Sequence, residues 1–302
     1  MSLFSLLGAV EIGLIFALVA LGVLLSFRLL RFPDLTVDGS FPLGGAVCAT
    51  LISKGADPFT ATAVATLAGA LAGLITGWLN VRLKIMDLLA SILMMIALYS
   101  VNLRIMGGPN VPLINDPTVF NVLQPAGLAD YWWRPILMLL IVIVAKLAMD
   151  WFFSTERGLA IRATGSNARM ARAQGINTGA MVLLGMAISN ALVGLAGALF
   201  AQTQGGSDIS MGIGTIVIGL AAVIVGEAIM PSRRIVYATL AVIVGAIVYR
   251  FFIALALNSD FIGLQAQDLN LVTAVLVAIA LVIPQLKRML QHRRLPDAPK
   301  SL

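Results

Sequence analysis

The sequence predicts an all-α polytopic membrane protein: about nine transmembrane or re-entrant helices in two inverted-topology repeats, N-terminus outside and C-terminus inside. Three observations predict it. First, 60% of the 302 residues are apolar and 11% are charged, and the mean hydropathy is +0.98. A soluble domain carries about a quarter charged residues, so this chain lacks the polar side chains that would cover a water-soluble core. Second, Lys and Arg gather on alternate connections between the apolar stretches. Third, short sequence matches recur at one spacing. The composition also removes function classes. A single cysteine, Cys48, leaves no disulfide framework and no multi-cysteine metal site. A single histidine, His292, leaves no histidine zinc cluster and no His-dependent hydrolytic triad. The net charge of +6 follows from where the basic residues sit and calls for no nucleic-acid partner.

A membrane helix takes roughly 20 apolar residues, fewer where it is broken or re-entrant. In chain order the candidates are Ser5–Phe27, Phe41–Ser53 (short), Phe59–Val81, Ile85–Met106, Pro135–Phe153, Met181–Gln202, Met211–Met230, Ile235–Leu257 and Leu269–Leu286. The opening segment has no basic start and no small-residue cleavage site, and is read as a first span rather than a signal peptide. With the N-terminus outside, the inner connections carry Arg28, Arg31, Arg82, Lys84, Arg157, Arg162, Arg169, Arg172, Arg233, Arg234, Lys287, Arg288, Arg293, Arg294 and Lys300. The outer ones carry Lys54, Arg104 and Arg134, and Lys146 and Arg250 fall within spans, which completes the 20 basic residues. Inner loops hold the excess of Lys and Arg, which sets the orientation. The basic tail, 287–302, is read as an anchor on anionic lipid rather than a site for acidic partners.

Ala17-Leu18-Val19 returns as Ala191-Leu192-Val193, and Asp34-Leu35-Thr36 as Asp208-Ile209-Ser210, both 174 residues on; Ala65-Thr66-Leu67-Ala68 returns as Ala238-Thr239-Leu240-Ala241 after 173. Spans one to four then correspond to spans six to nine. The displacement is odd, so the two halves face opposite ways. The chain is thus read as a single domain, 1–302: repeat one at about 1–106, a linking span at 135–153, a cytoplasmic loop at 154–180 and repeat two at about 181–286. Inverted repeats characterise transporters, whose path lies near the midplane; a bundle of shared ancestry without transport is the plain alternative. The Asp34 and Asp208 corners each precede a glycine-rich span, with Gly39, Gly44 and Gly45 in the first and Gly212, Gly214 and Gly219 in the second. Irregular backbone at membrane depth is tolerated only where protein or water satisfies it. These are candidate broken helices lining a path, or ordinary N-caps. Candidate path-lining residues are Asp38, Ser40, Asn102, Ser189, Asn190 and Gln202, each equally readable as an interhelical hydrogen bond.

Several motifs are absent. Asp34-x-Thr36-x-Asp38-Gly39 opens like a calcium loop, but its twelfth position is Gly45 where a bidentate glutamate is required. There is no Walker A loop, HExxH or GxSxG, so no catalytic residue and no metal site is expected. Ala65, Gly69, Gly73 and Gly77 form a small-residue ridge suited to close packing inside the subunit or to a dimer seam. Charges within spans are costly. Lys146 is placed to snorkel and Glu227 to pair with Arg233 and Arg234; Glu11, Arg250 and Asp87 complete the set, with structural pairing preferred to a proton relay.

The long inner loop reads Glu156-Arg157-Gly158-Leu159-Ala160-Ile161-Arg162-Ala163-Thr164-Gly165-Ser166-Asn167, then Ala168-Arg169-Met170-Ala171-Arg172-Ala173-Gln174-Gly175-Ile176-Asn177. Ser166 or Asn167 is suited to cap one short basic helix that Gly175 ends. Its small residues suit insertion into a groove on another protein; a solvated connector is the bland reading. The expected docking residues are Glu156, Arg157, Arg162, Ala163, Thr164, Gly165, Asn167, Ala171, Gly175 and Ile176. Gly165→Trp or Arg162→Glu is expected to abolish uptake while sparing membrane insertion, since neither touches a span.

Gly158–Gly165 together with Gly175-Ile176-Asn177 resembles the coupling-helix segment of bacterial ABC importer permeases of the branched-chain amino acid and ribose permease superfamily. Ala191–Leu199 is similar to that family's small-residue helix, and Phe32–Gly45 to the corner of its sugar branch. The resemblance covers most of the chain and is nearest to the single-permease subgroup. It implies a multi-pass protein of the bacterial inner membrane, working as two permease copies with two cytoplasmic ATPases and an extracytoplasmic solute-binding protein. ATP and magnesium would belong to the ATPase, leaving this chain no cofactor and no enzymatic activity. The implied solute is small and polar, with an amino acid, aromatic by subgroup, ahead of sugars and nucleosides. An ion-coupled secondary carrier is the alternative, since it too uses inverted repeats.

Overall fold

The computed structural model describes residues 3–257 apart from 126, 128 and 233, together with 275 and 278. The chain forms α1 (Leu3–Val23), a π-helical turn (Leu24–Leu29), α2 (Val37–Ser53), α3 (Pro58–Leu83) and α4 (Asp87–Met106). Then follow β1 (Asn110–Pro112), α5 (Val119–Val122), α6 (Asp130–Ser154), α7 (Glu156–Ser166), α8 (Ala168–Ala173), α9 (Thr178–Gln204), β2 (Gly206–Asp208), α10 (Thr215–Ile229) and α11 (Ile235–Leu257). Among the described residues, six helices are long and apolar enough to cross a membrane. α2 and α10, at 17 and 15 residues, are shorter. The second expected span was thus rightly short, but it begins at Val37. The seventh is shorter than expected, because Met211–Gly214 form turns and the helix starts only at Thr215. The ninth expected span, Leu269–Leu286, lies outside the described residues but for positions 275 and 278, and so does the tail 287–302.

α1 is apolar on every side, and a helix of that kind has to be enclosed. Leu14 to Leu21 are all buried, and α1 touches α6, α9, α10 and α11. The pairing of the remaining helices is reciprocal: α3 lies along α9, and α11 lies along α1. The glycine ridge of α3 makes the first contact close. A Cβ on Gly69 would overlap the Asn190 carbonyl oxygen, and one on Gly73 the Met186 carbonyl oxygen. The ridge therefore packs inside the subunit.

Several of the charges within the helices find partners. Lys146 does not snorkel: it pairs with Asp150 one turn on, and Asp150 accepts a second hydrogen bond from Thr239 Oγ1 on α11 at 2.8 Å. Glu227 pairs with Arg28 Nε at 2.7 Å; of the two arginines expected as its partners, Arg233 lies outside the described residues. Arg28 sits in the π turn, so this pair ties the end of α1 to α10. The Arg250 guanidinium stacks 4.8 Å from the Phe16 ring centre. One departure from all-α structure is a two-stranded antiparallel ribbon, β1 with β2, pairing Val111 with Ser207. It clips the connection after α4 to the corner before α10.

Gly73→Leu should prevent folding, since its Cβ meets backbone and overpacking alone costs about 1–3 kcal/mol. Gly8→Ala, where a Cβ meets nothing within 4 Å, should leave the protein intact. Size-exclusion profiles and thermal unfolding in detergent separate the two outcomes.

Candidate functional site

After the π turn the chain leaves the helix. Arg31 takes a left-handed conformation (φ 56°), and residues 30–36 run non-helically into the interior. Ser91 Oγ, one turn into α4, donates to the Pro33 carbonyl at 3.2 Å. Asp34 then meets Asn190, midway along α9. Its Oδ1 accepts from Thr36 N at 3.0 Å and its Oδ2 from Asn190 Nδ2 at 2.8 Å. Asn190 Oδ1 in turn accepts from Ser40 Oγ at 2.7 Å. The Thr36 and Thr76 hydroxyls lie 2.9 Å apart, and Thr76 donates to the Ala72 carbonyl. All five side chains, from α2, α3, α9 and the incoming loop, are fully buried. Buried polar groups are retained when each is hydrogen-bonded, and this cluster lets irregular chain pass at depth.

The second corner repeats the first. Asp208 Oδ1 accepts from Ser210 N at 2.7 Å, the same turn that Asp34 makes with Thr36. After it, α10 begins at Thr215 behind Gly214, whose left-handed φ of 80° suits glycine. The N-termini of α2 and α10 meet here. Asp38 Oδ1 accepts from Ile216 N at 2.8 Å, capping α10 across the two halves. Pro42 lacks the N–H that would bond the Asp38 carbonyl, and Gly212 packs against that oxygen, where a Cβ would overlap it.

A cavity of about 530 Å³ opens beside this junction. Its walls are Asp38, Gly39 and Pro42 of α2; Met95, Ile96, Tyr99, Ser100 and Asn102 of α4; and Ile209, Ser210 and Ile213. Asn102 Nδ2 donates to the Gly39 carbonyl at 3.2 Å, while its Oδ1 is buried with no hydrogen-bond partner among the described residues. A larger groove of about 710 Å³ between α3, α6 and α9 is lined by no charged residue among the described ones.

Of the six residues proposed for a path, Asp38 and Asn102 therefore line this cavity. Ser40 and Asn190 belong to the Asp34 cluster. Ser189 Oγ donates to the Gly22 carbonyl at 2.8 Å, joining α9 to α1. Gln202 joins three elements: its Nε2 donates to Thr62 Oγ1 at 2.9 Å and Cys48 Sγ at 3.2 Å, and its Oε1 accepts from Val119 N at 2.9 Å. Sequence reasoning did not select Thr36, Thr76 or Asp34 as site residues, although the repeated triplet already marked Asp34. Among the described residues no three His, Cys, Asp or Glu side chains come together to hold a metal ion.

The inner loop holds two helices rather than one. Thr155 caps α7, accepting from Gly158 N, and Asn167 caps α8, its Oδ1 accepting from Arg169 N at 3.1 Å and Met170 N at 3.0 Å. Gly175 ends the turn with φ 82°. The Asn167 cap and the Gly175 stop match the sequence; the helical first half does not. Of the expected docking residues, Glu156, Arg157, Asn167 and Gly175 are exposed, Arg162, Ala163, Gly165 and Ile176 are half-buried, and Thr164 and Ala171 are buried. Gly165 faces the protein: its Cβ would overlap the Leu29 carbonyl oxygen at the end of the π turn. Gly165→Trp would therefore strike the membrane bundle itself, contrary to the expectation from sequence. The outward surface carries Leu159 and Met170, 51% and 63% exposed, among Arg157, Arg169 and Arg172.

Asn190→Leu leaves the buried Asp34 carboxyl with one partner fewer and Ser40 Oγ without its acceptor, and should cost about 2–3 kcal/mol. Ser40→Ala, which removes one donor and leaves Asp34 served, should cost about 1 kcal/mol. Unfolding midpoints of the purified variants give the order.

The chain matches, over residues 5–283, the family described as the permease component of branched-chain amino acid transport systems. It is 38% identical over 289 residues to a tyrosine transport system permease protein of Clostridioides difficile (strain R20291), covering 95% of this chain and 94% of that one. It is 34% identical over 283 residues to an uncharacterized protein of Rickettsia prowazekii (strain Madrid E), covering 91% and 96%. With the ribose import permease of Escherichia coli K12 it shares 24% over 263 residues, 84% of this chain and 78% of that one. No solved structure matches it. The chain therefore belongs to the branched-chain amino acid and ribose type of ABC-transporter permease, multi-pass proteins of the bacterial inner membrane.

Proposed function

We propose that this chain is the membrane path of an ATP-driven importer that carries a small polar solute, an aromatic amino acid first, inward by alternating access. One observation carries the reading. Two short helices from different halves, α2 and α10, present their N-termini to each other beside a cavity, joined by Asp38 and Ile216 N. Discontinuous helices meeting where two repeats join are the arrangement that secondary and other transporters use for solute sites. Reciprocal packing of α3 on α9 and α11 on α1, and the shared Asp34 and Asp208 turn, support two halves related by inversion. The charge asymmetry supports the N-terminus outside and α7 and α8 inside. Asp38 and Asn102 are the solute-facing residues of this reading; Ser40, Ser189, Asn190 and Gln202 hold the walls.

In the assembly we propose, two copies of the permease bind two cytoplasmic ATPases, which hold ATP and magnesium, and a solute-binding protein delivers cargo from outside. The ATPases seat on the outward surface of α7 and α8. The relative named for tyrosine transport supports the amino acid assignment, and the one named for ribose makes a sugar the second choice. Reconstitution tests the whole reading. Uptake of L-tyrosine into proteoliposomes should need the ATPase, ATP and the binding protein; uptake by the permease alone, driven by an ion gradient, would overturn it. Met170→Glu, at an exposed position, should reduce co-purification of the ATPase at least about tenfold, the effect of a central interface residue, while the permease stays in the membrane.

A further inference from the structure

We propose that the ribbon of β1 and β2 is a latch across the outer mouth of the path, and that its strands part and re-pair in each transport cycle. This deepens the permease reading and rests on it. The two strands continue the two walls of the cavity. α4 gives one wall, through Met95, Ile96, Tyr99, Ser100 and Asn102, and passes into β1 across Gly107, Gly108 and Pro109. The other wall, Ile209, Ser210 and Ile213, follows β2 directly. α4 packs on α2 and α3, helices of its own half, whereas β2 belongs to the second half. Backbone pairing therefore ties the walls together at one end, the end that the charge asymmetry places outside. The walls cannot separate there while the ribbon is paired.

The pairing is short and its seat is shallow. Ile209 N donates to the Pro109 carbonyl at 2.9 Å and Leu113 N to the Gly205 carbonyl at 2.8 Å, on either side of the Val111 and Ser207 pair. A two-stranded ribbon by itself is marginally stable in water, so packing has to hold this one. Val111 and Leu113 are buried in a cluster that includes Ala46 and Ala49 of α2 and Ala198 of α9, side chains that offer little depth. Each strand also starts from a swivel. Gly107 and Gly205 take left-handed φ of 69° and 73°, and a Cβ on either would meet nothing within 4 Å. Hinges are element-terminal residues that absorb a change of backbone angle. These two glycines end α4 and α9, so a strand can swing while the helix before it stays wound.

A reversible cross-link tests whether the strands part. Hydrogen-bonded pairs alternate with non-bonded ones along an antiparallel ribbon. Pro109 with Ile209 and Leu113 with Gly205 are bonded pairs, so Asn110 and Asp208 form a non-bonded one. The Cα atoms of such a pair lie about 4.5 Å apart, within reach of a disulfide. The native Cys48 is buried, so Asn110→Cys with Asp208→Cys leaves one disulfide to form. In proteoliposomes holding the permease, its ATPase and the binding protein, oxidation should cut ATP-driven uptake of L-tyrosine, or else of D-ribose, at least about tenfold, and dithiothreitol should restore it. Uptake that persists in the cross-linked protein overturns the latch and leaves the permease reading standing. Asp208 also holds the turn to Ser210. Should the reduced double variant fail to fold or to transport, hydrogen exchange in the unsubstituted transporter decides. The Leu113 and Ile209 amides should exchange about tenfold faster in one nucleotide state, ATP-trapped or nucleotide-free, than in the other. Equal protection in both states overturns the latch. If the unsubstituted transporter takes up neither L-tyrosine nor D-ribose with ATP, the permease reading falls and the latch with it.

Discussion

In hydrocarbon a backbone polar group without a partner costs several kcal/mol. That constraint governs the architecture. Regular helices meet it unaided, but this chain leaves the helix at residues 30–36, where it runs through the buried interior, and at the matching corner, 205–214. The first departure survives because Asn190 serves two masters: its amide nitrogen donates to Asp34 and its oxygen accepts from Ser40. One side chain in the middle of α9 thus orients the incoming loop and the first turn of α2. The position of α2 fixes Asp38, Asp38 fixes the start of α10, and the cavity is what remains between them.

The same need for partners explains the charged residues. Lys146, Asp150, Glu227 and Arg250 all sit in helices that ought to exclude charge. Lys146, Asp150 and Glu227 are answered by ion pairs within the subunit, and Arg250 stacks on an aromatic face while its Nε is buried with no hydrogen-bond partner among the described residues. The pairs also fasten elements distant in sequence. Asp150 holds Thr239 of α11, and Glu227 holds Arg28 beyond α1. Close packing does the remaining work, since apolar helices in lipid gain little from hydrophobic burial and adhere through small residues and dispersion.

Most of this was legible from the residue order wherever the signal was local or periodic. The spans of α3, α4, α6, α9 and α11 lie within a few residues of their expected limits, because sustained apolarity marks them directly. The Asp34 and Asp208 triplets recurred in sequence, and the two corners make one and the same turn. The cap at Asn167 and the stop at Gly175 are likewise short-range chemistry. What could not be read was partnership across the fold. Lys146 reads as an interfacial residue when Asp150 is left aside, and Glu227 reads as a partner of the nearby arginines, whereas its partner lies 199 positions away. Gly165 looked like a surface residue because nothing in its own segment shows the Leu29 carbonyl against it. The β1 and β2 ribbon has three residues a side, too few for alternation to announce.

The π turn at Leu24–Leu29 joins two parts of the molecule that would otherwise be separate. On its inner side it carries α7 through Leu29 and Gly165, with no side chain between them to yield. On its outer side it continues α1, the enclosed rod that borders α6, α9, α10 and α11. Single π turns inside α-helices occur frequently at functional sites, and this one stands between the two. In the assembly proposed above, a tilt imposed on α7 by the ATPase would pass to the rod through this bare backbone contact, and from the rod to four neighbours at once, with Arg28 and Glu227 paired across the joint.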